Sequence, residues 1–249
     1  MAGHSKWKQI KRKKAVTDRK RGALFTRLIR EITIAAKAGG GDPAGNARLR
    51  TAIDAAKAEN MPSDNIDRAV KKGTGELAGV IYEEVTYEGY GPGGAAIMID
   101  ATTDNPTRTV ADIRHVFSRN GGNLGASNSV AWMFDRKAQI LLDAEGVNED
   151  SAMEAALDAG AEDFARDGDV FVVTAPPAQL HAVRDALAAK KLKVQSAEIT
   201  RIPKNTVKVE LSDAKRLLAL VEALEESDDV AKVSSNFDID AEALAAIDG

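Results

Sequence analysis

The residues of this chain best placed to do chemistry are its lysines and arginines, and the chemistry they offer is neutralisation of phosphate. Lys6, Lys8, Lys11, Arg12, Lys13 and Lys14 crowd into nine residues that contain no acid. Arg19, Lys20 and Arg21 follow, then Arg27 and Arg30, and further on Arg48, Arg50, Lys71 and Lys72. Residues 1–75 hold 18 Lys and Arg against 7 Asp and Glu, a balance of +11, while residues 76–249 hold 16 against 31, a balance of −15. The formal net charge of −4 conceals that division. A net-acidic chain is repelled from a polyanion as a whole, so it docks on one only through its basic end, in one orientation. The plain alternative is a solvated lysine-rich tail.

Other chemistries find little support. There is no cysteine, which removes disulfides, thiolate metal sites and thiol nucleophiles and suits a reducing cytoplasm. His4, His115 and His181 lie more than sixty residues apart, with no carboxylate at metal-ligand spacing. His115 and His181 read as helix-face residues. Asp238, Asp240 and Glu242 alternate as calcium ligands do, but lack the loop glycine and the distant Glu. Gly89-Tyr90-Gly91-Pro92-Gly93-Gly94 matches G-x-G-x-x-G after a strand. A second strand follows it, with no helix to hold a pyrophosphate, and Pro92 removes an amide donor, so a hairpin turn is expected. No Walker sequence or G-x-S-x-G elbow occurs. A binding protein is predicted, not an enzyme, with no metal, no cofactor and no small-molecule substrate.

The elements that must carry the cations are helical. At 100° per residue, Leu24, Phe25, Leu28, Ile29, Ile32, Ala35 and Ala36 share one arc, and Arg19, Lys20, Arg27, Arg30 and Lys37 share the opposite one. Ile34 intrudes on the basic arc and Arg21 on the apolar one. Such a helix would sit on a core and face phosphates, ending at Gly39–Gly41. Residues 6–14 have too little apolar content to pack alone and read as an arm that orders on a partner. Asp42 with Pro43 predicts an N-cap for a second helix to about Glu59, and Pro62–Asp64 starts a third that Gly73 stops. Three short amphipathic helices predict a bundle. A helix-turn-helix recognition helix is not assigned, because no face alternates base-reading Asn or Gln with Arg.

From Ile81 the period turns to that of strands. Val85 and Tyr87 alternate with Thr86 and Glu88, 95–101 is an apolar strand, 107–119 a helix, and 130–134 a further strand. Asp135-Arg136-Lys137 reads as a junction. Residues 138–202 follow the order β-α-β-β-α-β of the ferredoxin-like fold, with Asp167-Gly168-Asp169 as a hairpin turn. A last strand-helix-strand set (206–211, 213–226, 230–237) cannot close a core alone and needs another sheet, for which 81–134 is the candidate. No apolar run approaches the ~20 residues of a membrane span. The basic, acid-poor start also suits a mitochondrial transit peptide on composition, although the seam at 24–36 belongs to a folded unit.

Six stretches resemble the YebC/PmpR family, which includes the mitochondrial translational activator of cytochrome oxidase. They are MAGHSKW at the start, LIREI at 28–32, AGGGDPAGNARLR at 38–50, NMPSDNIDRAVKKGTG at 60–75, YEGYGPGGAAIMI at 87–99 and NGGNLGASNSVAWMF at 120–134. Because the family pattern begins at Met1, the resemblance implies that the basic arm belongs to the mature protein. It implies an α+β architecture of three domains. These are a basic three-helix bundle with its arm (1–78), a discontinuous middle α/β domain (79–135 and 204–249) and an inserted ferredoxin-like domain (136–203). It also implies a cytoplasmic bacterial DNA-binding transcriptional regulator, with ribosomal RNA and translation as the alternative target. The family carries no catalytic residues over. The acidic remainder reads either as ordinary solvated surface or as a face for a second, basic protein partner.

Overall fold

The structure, a computed structural model, describes residues 18–240, with side chains from residue 22 onward. It is a mixed α+β protein with seven α-helices and two four-stranded antiparallel sheets among the described residues.

Helix α1 (Asp18–Gly39) buries Ile32, Ala35 and Ala36 against α2 (Ala47–Ala58) and α3 (Ser63–Thr74), where Leu49, Ala52, Ala56, Ile66 and Ala69 complete an apolar cluster. The cap of α2 is Asn46 and not Asp42. The Asn46 Oδ1 accepts from the Leu49 amide at 3.1 Å, while its Nδ2 donates to the carbonyls of Ala35 (2.7 Å) and Gly40 (2.9 Å). An aspartate could cap α2 but could not donate to the orphaned carbonyls of α1. Asp42 instead closes a turn on the Ala44 amide. Helix α3 runs through Gly73 instead of stopping there, and the glycine serves close packing, since a Cβ would meet the Thr33 carbonyl oxygen at 2.3 Å. It ends at Gly75, with φ of 85°.

The first sheet has the order β3-β1-β2-β9, from β1 (Glu83–Tyr90), β2 (Ala96–Thr103), β3 (Asn123–Leu124) and β9 (Val230–Ser235). One face, carrying Ile97, Ile99 and Val233, packs on α4 (Pro106–Arg119) and α7 (Leu211–Glu226). Of the strand-helix-strand set near the C-terminus, α7 packs on this sheet and β9 joins it beside β2, while the expected strand at 206–211 is reduced to Val207–Lys208 outside it. The opposite face, with Ala96 and Met98, is covered by Val130 and Phe134. Residues 130–134, expected as a strand, hold a 3-10 turn at Ala131–Met133. The glycine-rich segment is the expected turn: Gly91 N donates to Ala95 O at 2.8 Å, and β1 and β2 flank it antiparallel.

The second sheet has the order β5-β6-β4-β7, from β4 (Phe134–Asp143), β5 (Asp163–Asp167), β6 (Val170–Ala175) and β7 (Val194–Pro203). Helices α5 (Glu149–Asp158) and α6 (Leu180–Ala189) cover one face through Ala152, Ala156, Val183 and Leu187. Residues 135–137, expected as a junction, have strand structure. They lie inside β4, paired with residues 200–202 of β7, and the ladder begins at Phe134↔Pro203. A short parallel pair, β8 (Val207–Lys208) with β10 (Phe237–Asp238), follows the return.

Candidate nucleic-acid interface

The helical region is the only place where the sequence concentrates cations, so its geometry decides which of them face outward. Lys6, Lys8, Lys11, Arg12, Lys13 and Lys14 lie outside the described residues, and Arg19, Lys20 and Arg21 lie on α1 with side chains outside them.

Arg27 and Arg30 do not face solvent as the helical arc predicts. Arg27 Nη2 donates to the carbonyl of Glu225, and burial lowers the Arg27 pKa against the pull of Glu225 and Asp228. Arg30 Nη1 donates to the carbonyls of Thr102 (3.0 Å) and Asp228 (2.7 Å) and to Asp229 Oδ1 (2.7 Å), and its guanidinium lies 5.3 Å from the centre of the Tyr82 ring. The physical reason is that α1 has two packed faces. Its seam meets α2 and α3, and its opposite ridge lies against β2 and β9. Ile34, on the same ridge, is 6% exposed.

Asp229 anchors this seam. Its side chain is 9% exposed, and its Oδ2 accepts from Arg108 Nη2 and Thr109 Oγ1, each at 2.7 Å. Burial works against its charge, but the hydrogen bonds from Arg108, Thr109 and Arg30 prevail and hold its pKa below the ordinary carboxylate value. Nothing in the local pattern around Asp228-Asp229 marks that role, because the partners come from residues 30, 103 and 108–109.

Arg48 is exposed but engaged, with Glu31 Oε1 at 2.8 Å and Glu84 Oε2 at 2.9 Å. The Glu84 hydrogen bond, against desolvation, and the Glu31 contacts raise its pKa. Arg50 is half-buried beside a small groove lined by Pro43, Ala44, Ile53, Asp54 and Lys57. Lys71 and Lys72 are exposed in the last turn of α3. Lys37 and Lys57 are likewise exposed in the last turns of α1 and α2. Cations there complement the negative ends of the helix dipoles, and they remain open to a polyanion. Arg68 is exposed, with Nη2 on Asn65 Oδ1 at 2.6 Å.

The helical region also meets the second sheet's helices. His181 Nε2 sits 3.0 Å from Thr51 Oγ1 and 3.2 Å from the Ala47 carbonyl, and Arg184 Nη1 pairs with Asp54 Oδ2 at 2.8 Å. Burial, then the nearby Arg50 and Arg184, lowers the His181 pKa despite the Ala47 contact. His115 is exposed. Asp240 pairs with Lys208 at 2.9 Å, while His4 and Glu242 lie outside the described residues. Among the described residues, no group of three or more His, Asp or Glu could hold a metal, and no helix is long and apolar enough to cross a membrane.

Glu88 is the second residue whose place local pattern misses. The alternation of β1 puts it on the polar face, yet it is 6% exposed. Its Oε1 accepts from the Asn128 amide at 2.7 Å, and its Oε2 from the amides of Val130 and Ala131 at 2.8 Å each. Burial opposes its charge, but these three amides outweigh it and lower its pKa. They also leave Val130 and Ala131 no donor for a ladder, which is why a turn replaces the expected strand.

A basic helical region set against the first of two antiparallel sheets makes this a mixed α+β protein. The chain belongs to the TACO1/YebC family. The family model described as "TACO1/YebC protein N-terminal domain" matches residues 5–76, and that described as "TACO1/YebC second and third domain" matches residues 82–237. A "Probable transcriptional regulatory protein" of Gemmatimonas aurantiaca is 66% identical over 98% of this chain and 99% of its own length. One of the same name from Chlorobium luteolum is 53% identical over 100% of both. The crystal structure of a conserved hypothetical protein from Aquifex aeolicus superposes with a TM-score of 0.84 at 47% identity, covering 92% of this chain and 94% of that one.

Proposed function

We propose that this protein is a nucleic-acid-binding transcriptional regulator that contacts DNA through its basic N-terminal region. The observation that carries the reading is the +11 balance of residues 1–75, together with the exposed Lys71 and Lys72. Lys6, Lys8, Lys11, Arg12, Lys13, Lys14, Arg19, Lys20 and Arg21 supply the remainder of the contact. Arg27, Arg30 and Arg48 hold the region in place, and Arg50 stands at its edge. The relatives' name supports transcription as the setting. Phosphate contacts of this kind position a protein without reading sequence, so ribosomal RNA is the second target the same cations suit. The family's inclusion of a mitochondrial translational activator favours it.

The three apolar clusters support a division into the helical domain (1–78), a discontinuous middle domain (79–135 and 204–249) and a ferredoxin-like domain (136–203). The strand order β5-β6-β4-β7 supports the ferredoxin-like reading of the last. Most of the acidic surface of the middle and third domains then faces solvent or a basic protein, and the protein works in the cytoplasm. Crosslinking in cells, with sequencing of both the DNA and the RNA recovered, tests the reading. Enrichment of promoter duplex supports it, enrichment of ribosomal RNA moves it to translation, and recovery of neither refutes it.

A further inference from the structure

We propose that Trp132 is a stacking platform for an unpaired nucleobase, held ready by the loop of residues 125–134. The inference rests on the nucleic-acid reading above, but not on the choice between DNA and RNA.

The loop is built with unusual outlay for a surface segment. Glu88 spends a buried carboxylate on three of its amides, Gly125 N donates to the Glu88 carbonyl at 2.8 Å, and Tyr90 Oη donates to the Ser129 carbonyl at 3.0 Å. Asn128 turns the chain at a φ of 67°, a left-handed conformation that asparagine accepts more readily than other side-chain-bearing residues. Beneath the loop Val130 is fully buried and Phe134 is 7% exposed, while Ala131 and Met133 pack on the same cluster. Of residues 130–134 only Trp132 turns outward, at 63% exposure. Its Nε1 donates to the Ser129 carbonyl at 3.2 Å, which fixes the edge of the indole and leaves its faces to solvent. A surface loop tied down by a buried acid and several backbone hydrogen bonds is a candidate to carry function.

The surroundings select the occupant. Protein-binding tryptophans sit in apolar patches from which water is excluded. Among the described residues of 120–137, however, Trp132 is the one exposed large hydrophobic side chain. Its neighbours are polar or cationic. Ser127 and Asn128 are exposed, and so is Arg136. Lys204 is brought alongside by its amide, which donates to the Met133 carbonyl at 2.9 Å. Lys204 Nζ pairs with Asp135 Oδ1 at 3.4 Å, so the exposed side chains nearest the indole along the chain are polar or charged, not apolar. A flat, exposed indole in such polar surroundings suits the face of a base. Bases in a duplex already spend both faces on their neighbours, so the ligand is single-stranded, looped or melted.

The test uses the full chain with Trp7→Phe, so that Trp132 is the one indole, and three labelled oligonucleotides of one sequence: single-stranded RNA, single-stranded DNA and duplex DNA. Anisotropy reports binding, and indole emission reports stacking. We expect both single strands, or one of them, to quench Trp132 emission in step with binding, and duplex not to. Trp132→Ala should weaken single-strand affinity roughly 5- to 100-fold, with Trp132→Phe recovering most of it and duplex affinity unchanged within about twofold. Loss confined to one strand type identifies the source of the base. Single strands that bind with unquenched emission, or equally well to Trp132→Ala, overturn the inference and leave the nucleic-acid reading standing. If none of the three oligonucleotides binds, both fall.

Discussion

Replacing Asp229 by alanine should loosen the protein at the seam between the helical region and the first sheet. The Asp229 carboxylate accepts from Arg30, Arg108 and Thr109, and the side chains of Arg30 and Asp229 are 13% and 9% exposed. Removing one partner of a buried pair strands the other charge, at a cost of about 3–5 kcal/mol. Arg30 keeps the carbonyls of Thr102 and Asp228, so the lower end applies, about 3 kcal/mol or roughly 150-fold in the folding equilibrium. With a urea slope of about 3 kcal/mol/M, the midpoint should fall by roughly 1 M. A double-mutant cycle with Arg30→Ala should return a coupling of about 2 kcal/mol. Acid should reproduce part of the effect. The folded-state pKa of Asp229 is depressed, so its contribution is complete above the unfolded value near 3.8 and is lost as pH falls through the folded pKa. Asp229→Asn should therefore match the alanine variant in losing that pH dependence, with a smaller loss at neutral pH. A midpoint shift below about 0.3 M for Asp229→Ala, or no coupling to Arg30, would refute the seam as the source of stability.

Deleting residues 1–21 removes nine cations, and each one that meets a phosphate should contribute about 0.9 to the log–log salt slope on duplex DNA. An unchanged slope means the arm makes no contact. Lys71→Gln with Lys72→Gln should lower the same slope by up to about 1.8, with the melting temperature unaltered. Gly91→Ala would set a Cβ 2.6 Å from Leu217 Cδ1, so it should destabilise by about 1–3 kcal/mol. Calorimetry with NAD or ATP should show no stoichiometric binding to either form, and micromolar binding abolished by the substitution would overturn the hairpin reading. Glu88→Gln presents an NH2 group to amides that need an acceptor, so exchange at Asn128, Val130 and Ala131 should accelerate and stability should fall by about 1–3 kcal/mol.

The helices were legible because their signals are local. The seam of Leu28, Ile29, Ile32, Ala35 and Ala36 has the 3.6-residue period, and the apolar strand at 95–101 fills both of its faces. What pattern missed depends on partners far along the chain. Glu88 alternates as a surface residue would, and only a loop forty residues later buries it. Arg27 and Arg30 lie on an arc that looks solvated until β2 and β9 are set against it. One clue was present: Ile34 shares that ridge, and an isoleucine among arginines marks a second packed face. Asp229 carried no such clue, since every group that makes it an anchor comes from another element.

The ladder that opens at Phe134↔Pro203 has a consequence for how such a protein is assembled over evolutionary time. The sixty or so residues beyond it leave and re-enter the first sheet's neighbourhood through two strands zipped side by side. Their entrance and exit are therefore a strand's width apart, about 5 Å. A tight turn joining Arg136 to Arg201 would close the gap and leave a plain hairpin, with the loss of the Thr51–His181 and Asp54–Arg184 contacts. The same geometry runs in reverse: a hairpin tip on an ancestral sheet is a socket into which a whole folding unit can be spliced at little conformational cost, because the loop it replaces was already closed. The ribbon is thus the covalent neck of the second sheet, and His181 and Arg184 give that sheet a second hold, on the helical region.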